Sequence, residues 1–245
     1  MIYKELPLNW EDLQKKVAQI FLDAGFSNIE IEKEIEGARG KTEVDVYVTD
    51  DNGFLYICEC KNWNKPVPKS VVQTFRTIIN DVGANKGYLI SKKGFQAGAY
   101  PIVENTNVSL VNWYEFQLEM EDAWISSVGS YLFKYVNPLF RFTDILVPKS
   151  LIAHLNGEDE KYFWELYHNY RYIWYMTHDF YPNIGLSNKK EIADLCRRNF
   201  AFPLELNIPM STEKIMIEDL NSLRNYIIKY TDEGLVKLRN LTSKL

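Results

Sequence analysis

The chain has 245 residues, 46% of them hydrophobic and 14% aromatic, which suffices for one large or two modest globular domains. It contains no run of about 18 apolar residues, and Met1–Pro7 has no apolar signal core, so neither a membrane span nor secretion is predicted and a cytoplasmic location is expected. The formal net charge is −5, and residues 1–120 hold thirteen Lys and Arg against seventeen Asp and Glu, so the broad basic surface that drives non-specific nucleic-acid binding is absent.

Asn9 is a predicted N-cap with Glu11 and Asp12 in the first turn, and Leu13, Val17, Ile20, Phe21 and Ala24 recur at helical spacing up to Gly25. Ser27–Glu36 reads as a strand in which isoleucines alternate with a solvated row of glutamates, and Gly37–Gly40 reads as a flexible connection. Two more strands, Lys41–Thr49 and Phe54–Lys61, flank Asp50-Asp51-Asn52-Gly53, a hairpin turn signal. A helix over Lys69–Val82 stopped by Gly83, a strand over Lys86–Ser91, a helix over Gly94–Glu104 and a strand over Asn107–Val111 follow. Asn112 and Glu115 then form a predicted capping box for a helix through Phe116. This order predicts an α/β domain, a mixed sheet flanked by helices.

The chemistry concentrates in the hairpin. Side chains alternate along a strand, so Asp45 is expected to point away from Val44 and Val46, and Glu59 and Lys61 to share a face opposite Cys58 and Cys60. Two carboxylates and a lysine suit metal-assisted phosphodiester hydrolysis: the acids hold Mg²⁺, which prefers oxygen ligands, and the lysine adds charge near the phosphate. An exposed ion pair on an edge strand would need only Glu59 and Lys61. Cys58-x-Cys60 has no second pair to complete a zinc site, and an odd cysteine count builds no disulfide framework, so both read as small core residues.

Asp45 followed by Glu59-Cys60-Lys61 resembles the PD-(D/E)xK nuclease motif, and the flanks from Leu13 through Gly25-Phe26 to Gly94-Phe95-Gln96-Ala97-Gly98-Ala99 are similar to the Mrr-type restriction endonucleases. The resemblance covers roughly the first half and ends near Phe116. It implies a restriction-endonuclease-like nuclease domain over 1–120 that hydrolyses DNA with Mg²⁺ or Mn²⁺. Asp45, Glu59 and the Cys60 carbonyl would be metal ligands, Lys61 would be catalytic, and the role would be in defence against foreign DNA. The sequence departs from the family at Gln14, where many members carry a glutamate. Glu11 and Gln73 are further candidates for supporting the centre, and Lys65, Lys69, Arg76, Lys92 and Lys93 are candidate DNA contacts. By analogy a homodimer is expected. An RNA nuclease, or a catalytically silent domain used for protein binding or assembly, are the alternatives.

Residues 121–245 change to long apolar periodicity interrupted by Pro138, Pro148, Pro182, Pro203 and Pro209, which predicts a mainly α-helical domain of helices separated by loops. The densest segment, Asp159–Met176, carries Phe163, Tyr167 and Tyr170 among its aromatics and is expected to pack in a core or interface. Ser187 and Ser211-Thr212 are predicted N-caps, and Leu235–Leu245 a short basic helix. This half is expected to bind a protein or to recognise a DNA feature.

Overall fold

A computed structural model of the protein describes residues 1–144, 152–181 and 188–243. Pro148, Pro182, Ser187 and the final two residues of the predicted basic helix lie outside the described residues. Contacts divide the chain into two compact units, one comprising Met1 and Glu5–Trp124, the other Ile2–Lys4 and Ile125–Leu245.

In the first unit, α1 (Trp10–Asp23) is capped by Asn9, whose side chain accepts from the Asp12 amide at 2.8 Å. Strands β1 (Asn28–Gly37), β2 (Gly40–Thr49), β3 (Leu55–Lys61), β4 (Lys86–Ser91) and β5 (Val108–Val111) form one sheet in that order. The first three are antiparallel neighbours, whereas β3–β4 and β4–β5 are parallel, as connections through α2 (Lys69–Asp81) and the short α3 (Tyr100–Val103) require. The sheet is therefore mixed.

Helices cover both faces. Val72, Phe75 and Ile79 of α2 pack with Ile57 and Leu89, while Phe21 of α1 meets the rings of Tyr56, Tyr88 and Phe116. Tyr56 and Ile57, like Tyr88 and Leu89, are adjacent in their strands and so face opposite ways.

Three local expectations change. Gly37–Gly40 is a tight two-residue turn, pinned where the Ala38 amide donates to the Asp81 carbonyl at 3.1 Å and Arg39 forks onto the Asp81 carboxylate at 2.7 and 3.1 Å. Gly94–Glu104 is not one helix: the Val67 amide donates to Gly94 O and the Gln96 amide to Val67 O, which holds this stretch extended until a 3₁₀ turn at Ala97–Ala99. The capping box forms, with the Asn112 amide on Glu115 at 2.7 Å and the Glu115 amide on Asn112 at 3.0 Å, but its helix does not stop near Phe116. As α4 it runs over Trp113–Thr143, straight through Pro138. A proline inside a helix costs about 3 kcal/mol; full burial of Val136 and Leu139 beside it offsets that loss.

In the second unit, α5 (Gly157–Phe180) packs against α7 (Leu220–Thr242) and α6 (Lys189–Asn199). Phe163, Tyr167 and Tyr170 are buried and form the core-facing side of the aromatic run, whereas Tyr162 and Tyr175 are exposed. The expected helix after Ser211-Thr212 is displaced: Lys214–Ile217 is strand β7, paired with β6 (Leu204–Asn207), and α7 starts only after Asp219 caps the Ser222 amide at 2.7 Å. Ser211 instead accepts from the Glu213 amide in the turn between those strands. The predicted terminal helix is the end of α7. Asn188 caps α6, its side chain accepting from the Glu191 amide at 2.8 Å.

Candidate active site

Strand β3 ends at Lys61 and presents Glu59 and Lys61 on the α2 side, where they form an ion pair with most of both side chains covered. Burial pushes the Glu59 carboxyl above its ordinary value, and the negative charge of Asp45 raises it further, against the opposing pull of Lys61. Asp45 and Glu59 therefore sense one another. Cys58 and Cys60 are buried free thiols, and burial pushes both well above the usual thiol range.

Asp45 sits where the simple alternation of β2 fails. Val44 belongs to the core beneath α2 with Ile57, whereas Val46 pairs with Cys58 and so lies on the other face. On the paired strand, Ile31 opposes Val46 and Lys33 opposes Val44, leaving Glu32 between them at φ +54°, a conformation that costs a non-glycine residue on the order of 1–3 kcal/mol. The two strands thus swap faces together at Glu32 and Asp45. This releases the Asp45 carboxylate from the regular pleat.

Its oxygens are held from two sides. Gln14, buried on α1, donates to Oδ1 at 2.9 Å, and the Cys60 backbone amide donates to Oδ2 at 2.6 Å. The regular β2–β3 pairing ends at Val46 and Cys58, so the carboxylate takes the donor that a ladder partner would otherwise satisfy.

A cleft of about 490 Å³ opens over Asp45, lined also by Gln14, Lys61, Asn62, Asn64 and Lys92. A second recess, about 280 Å³, holds Glu59 with Ser70 and Thr74, and Lys61 and Trp63 line both. Of the other sequence candidates, Glu11 and Gln73 are exposed and line neither. Lys92 lines the main cleft and donates to Asn64 at 3.2 Å. Lys93 lines a neighbouring cavity, Arg76 donates to the Ile102 carbonyl at 3.0 Å, and Lys65 and Lys69 are exposed outside these recesses.

Sequence reasoning passed over Leu8, Asn9, Trp10, Asn62, Trp63 and Asn64 as site residues, and these complete the cleft wall. The last three directly follow Lys61, which was the available signal. Among the described residues no group of three or more His, Cys, Asp or Glu converges as a ready metal cluster, and no helix is long and apolar enough to cross a membrane.

The family model Mrr_cat, described as restriction endonuclease, matches residues 6–120. No curated protein matches the chain. Among solved structures, a protein of unknown function aligns at 19% identity over 78% of this chain and 96% of its own, with a TM-score of 0.39. A repair endonuclease from Pyrococcus abyssi aligns at 20% identity over 46% of this chain and 47% of its own, with a TM-score of 0.31. With its mixed sheet, flanking helices and matched span, the N-terminal half of this chain is similar to the Mrr-type restriction endonucleases.

Proposed function

We propose that residues 1–120 form a domain that hydrolyses DNA phosphodiester bonds with Mg²⁺ or Mn²⁺, in a restriction or defence role, and that residues 121–245 form a separate helical domain. The observation that carries this reading is the meeting of Asp45, Gln14, the Cys60 backbone and Lys61 around one open cleft, with Glu59 beside it.

The donors fit a hard divalent cation. Asp45 and Glu59 offer carboxylate oxygens and Cys60 a backbone carbonyl, while both nearby thiols are protonated and buried. Each carboxylate oxygen keeps a lone pair beyond the hydrogen bond it accepts, so the contacts from Gln14 and Cys60 orient Asp45 without exhausting it. Bound there, Mg²⁺ supplies charge neutralisation at the phosphate and a water of lowered pKa. Lys61 holds a positive charge where the phosphate lies against the cleft, and its ion pair with Glu59 fixes the ammonium in place. Gln14 keeps the Asp45 carboxylate facing the cleft.

The test is cleavage of supercoiled plasmid, methylated and unmethylated, with Mg²⁺ or Mn²⁺, together with an RNA substrate. Nicking that requires metal and vanishes in Asp45→Ala is the expected result; no cleavage of DNA overturns it.

Gln14 supports a second reading, a nuclease-like domain used for binding, because an amide stands where many members of the family carry an acid and adds no negative charge beside Asp45. Gln14→Glu discriminates. It removes the donor to Asp45 and places two carboxylates together in a buried position, so the metal-free protein is expected to lose about 2 kcal/mol. Thermal melts should then show a larger Mg²⁺-induced stabilisation than in the native protein. An unchanged response to Mg²⁺ in both proteins favours the binding module.

A further inference from the structure

The cleft over Asp45 has a wall that phosphate chemistry does not require. All six tryptophans of the chain are described, and only Trp10, 50% exposed, and Trp63, 37% exposed, stand substantially open to solvent. Both line this cleft, as does Leu8 at 87% exposure. Single exposed apolar side chains are ordinary, but three converging on one concave site mark a binding surface. Trp63 also lies with its ring centroid 5.7 Å from the Lys61 ammonium, next to the proposed scissile phosphate.

The polar part of the wall carries more amides than cations. Asn9, Asn62 and Asn64 line it, offering both donors and acceptors that match the edges of bases. It holds only two lysines, Lys61 at the proposed scissile phosphate and Lys92, which donates to Asn64. A protein that tracks duplex DNA through its backbone needs many phosphate contacts, and the acidic balance of this half does not supply them. Indole faces do supply affinity, but only to bases whose own faces are accessible. A neighbouring cavity of about 410 Å³, walled by Leu13, Ile90 and Trp113, shares Asn62 and Lys92 with the cleft and adds a second apolar recess beside it.

We propose that the substrate strand is unpaired at the point of cleavage, and that Trp10 and Trp63 are the stacking platforms for its bases. The inference rests on the nuclease reading for its DNA, and deepens it by naming the form of DNA that the cleft accepts. The two tryptophans position the strand; they take no part in the chemistry.

The experiment is a fluorescence titration in EDTA, so that binding is read without cleavage. Three probes of equal length are compared at one salt concentration: a single-stranded 20-mer, the same sequence as a duplex, and a single strand in which the bases are replaced by abasic sites. The single strand is expected to quench tryptophan emission and to bind about tenfold or more tighter than either of the others, because stacking needs free base faces. Trp10→Ala and Trp63→Ala are each expected to weaken single-strand binding by about 5-fold to 100-fold, with Trp10→Phe retaining most of the affinity. Both positions are exposed, and a thermal melt verifies that the variants fold. Equal affinity for duplex and single strand, equal affinity for the abasic strand, or native affinity in the folded Trp10→Ala/Trp63→Ala double variant overturns the proposal. Base-dependent binding without metal-dependent cleavage leaves the tryptophan stacking site for single strands standing and overturns the nuclease reading; cleavage of duplex with no single-strand preference does the reverse.

Discussion

Lys61→Ala is expected to lower the rate of metal-dependent DNA cleavage by about 10²–10³-fold, the usual loss when one pre-positioned group facing a developing negative charge is removed. The variant also tests the local electrostatics. Glu59 already holds its proton more tightly than an ordinary glutamate, because burial and Asp45 disfavour its charge, and Lys61 is the group that opposes them. Removing the ammonium takes away that opposing pull, so the Glu59 carboxyl rises further and its ionised form is lost at a higher pH on acidification. The acid limb of the pH profile of residual cleavage should therefore move upward. Lys61→Arg, which keeps the charge, should hold the limb near its native position while losing rate through altered geometry. Rates measured between pH 5 and 9 check this. An acid limb that stays in place in Lys61→Ala would mean that Glu59 ionisation does not govern the reaction.

Gly234→Val is expected to destabilise the helical half by about 1–3 kcal/mol through overpacking. Gly234 lies inside α7 against α5, and a Cβ there would stand 2.6 Å from Cδ1 and 2.9 Å from Cγ of Tyr170. That ring cannot yield easily. It is fully buried, and its hydroxyl donates to Glu233 at 2.6 Å while accepting from Lys237 at 3.1 Å. Moving the ring would break a partly buried hydroxyl–carboxylate contact as well as the packing. Gly234→Ala meets the same clash but recovers up to about 1 kcal/mol because alanine favours a helix interior over glycine, so its net loss should be smaller. Urea titration monitored by circular dichroism should rank native, Ala and Val in that order of stability; a Val variant as stable as the native protein would show that Tyr170 repacks without cost.

The amino-acid sequence alone determined the features that depend on neighbours a few residues apart. Period-two alternation in β3 set Glu59 and Lys61 against the buried Cys58 and Cys60, the Asn9 cap and the Asn112–Glu115 box set helix starts, and the hairpin turn joined β2 to β3. The same local chemistry, with the Asp45 and Glu59-Cys60-Lys61 spacing, made the family resemblance legible. Tertiary structure decided what depends on distant pairs. Gln14 reaches Asp45 across 31 residues of sequence, and only the packing of α1 on the sheet brings them together. The face exchange at Glu32 and Asp45 needs two strands distorted in register, which no single-strand period encodes. Pro138 reads as a break until burial of its neighbours outweighs its lost hydrogen bond, and Lys214–Ile217 reads as helix until Leu204–Asn207 pairs with it. Trp10 and Trp63, 53 positions apart, become one wall because the end of β3 and the start of α1 meet at the cleft. Local propensity is a sum over adjacent residues, whereas a binding surface is a coincidence of distant ones, and only the folded chain brings that coincidence about.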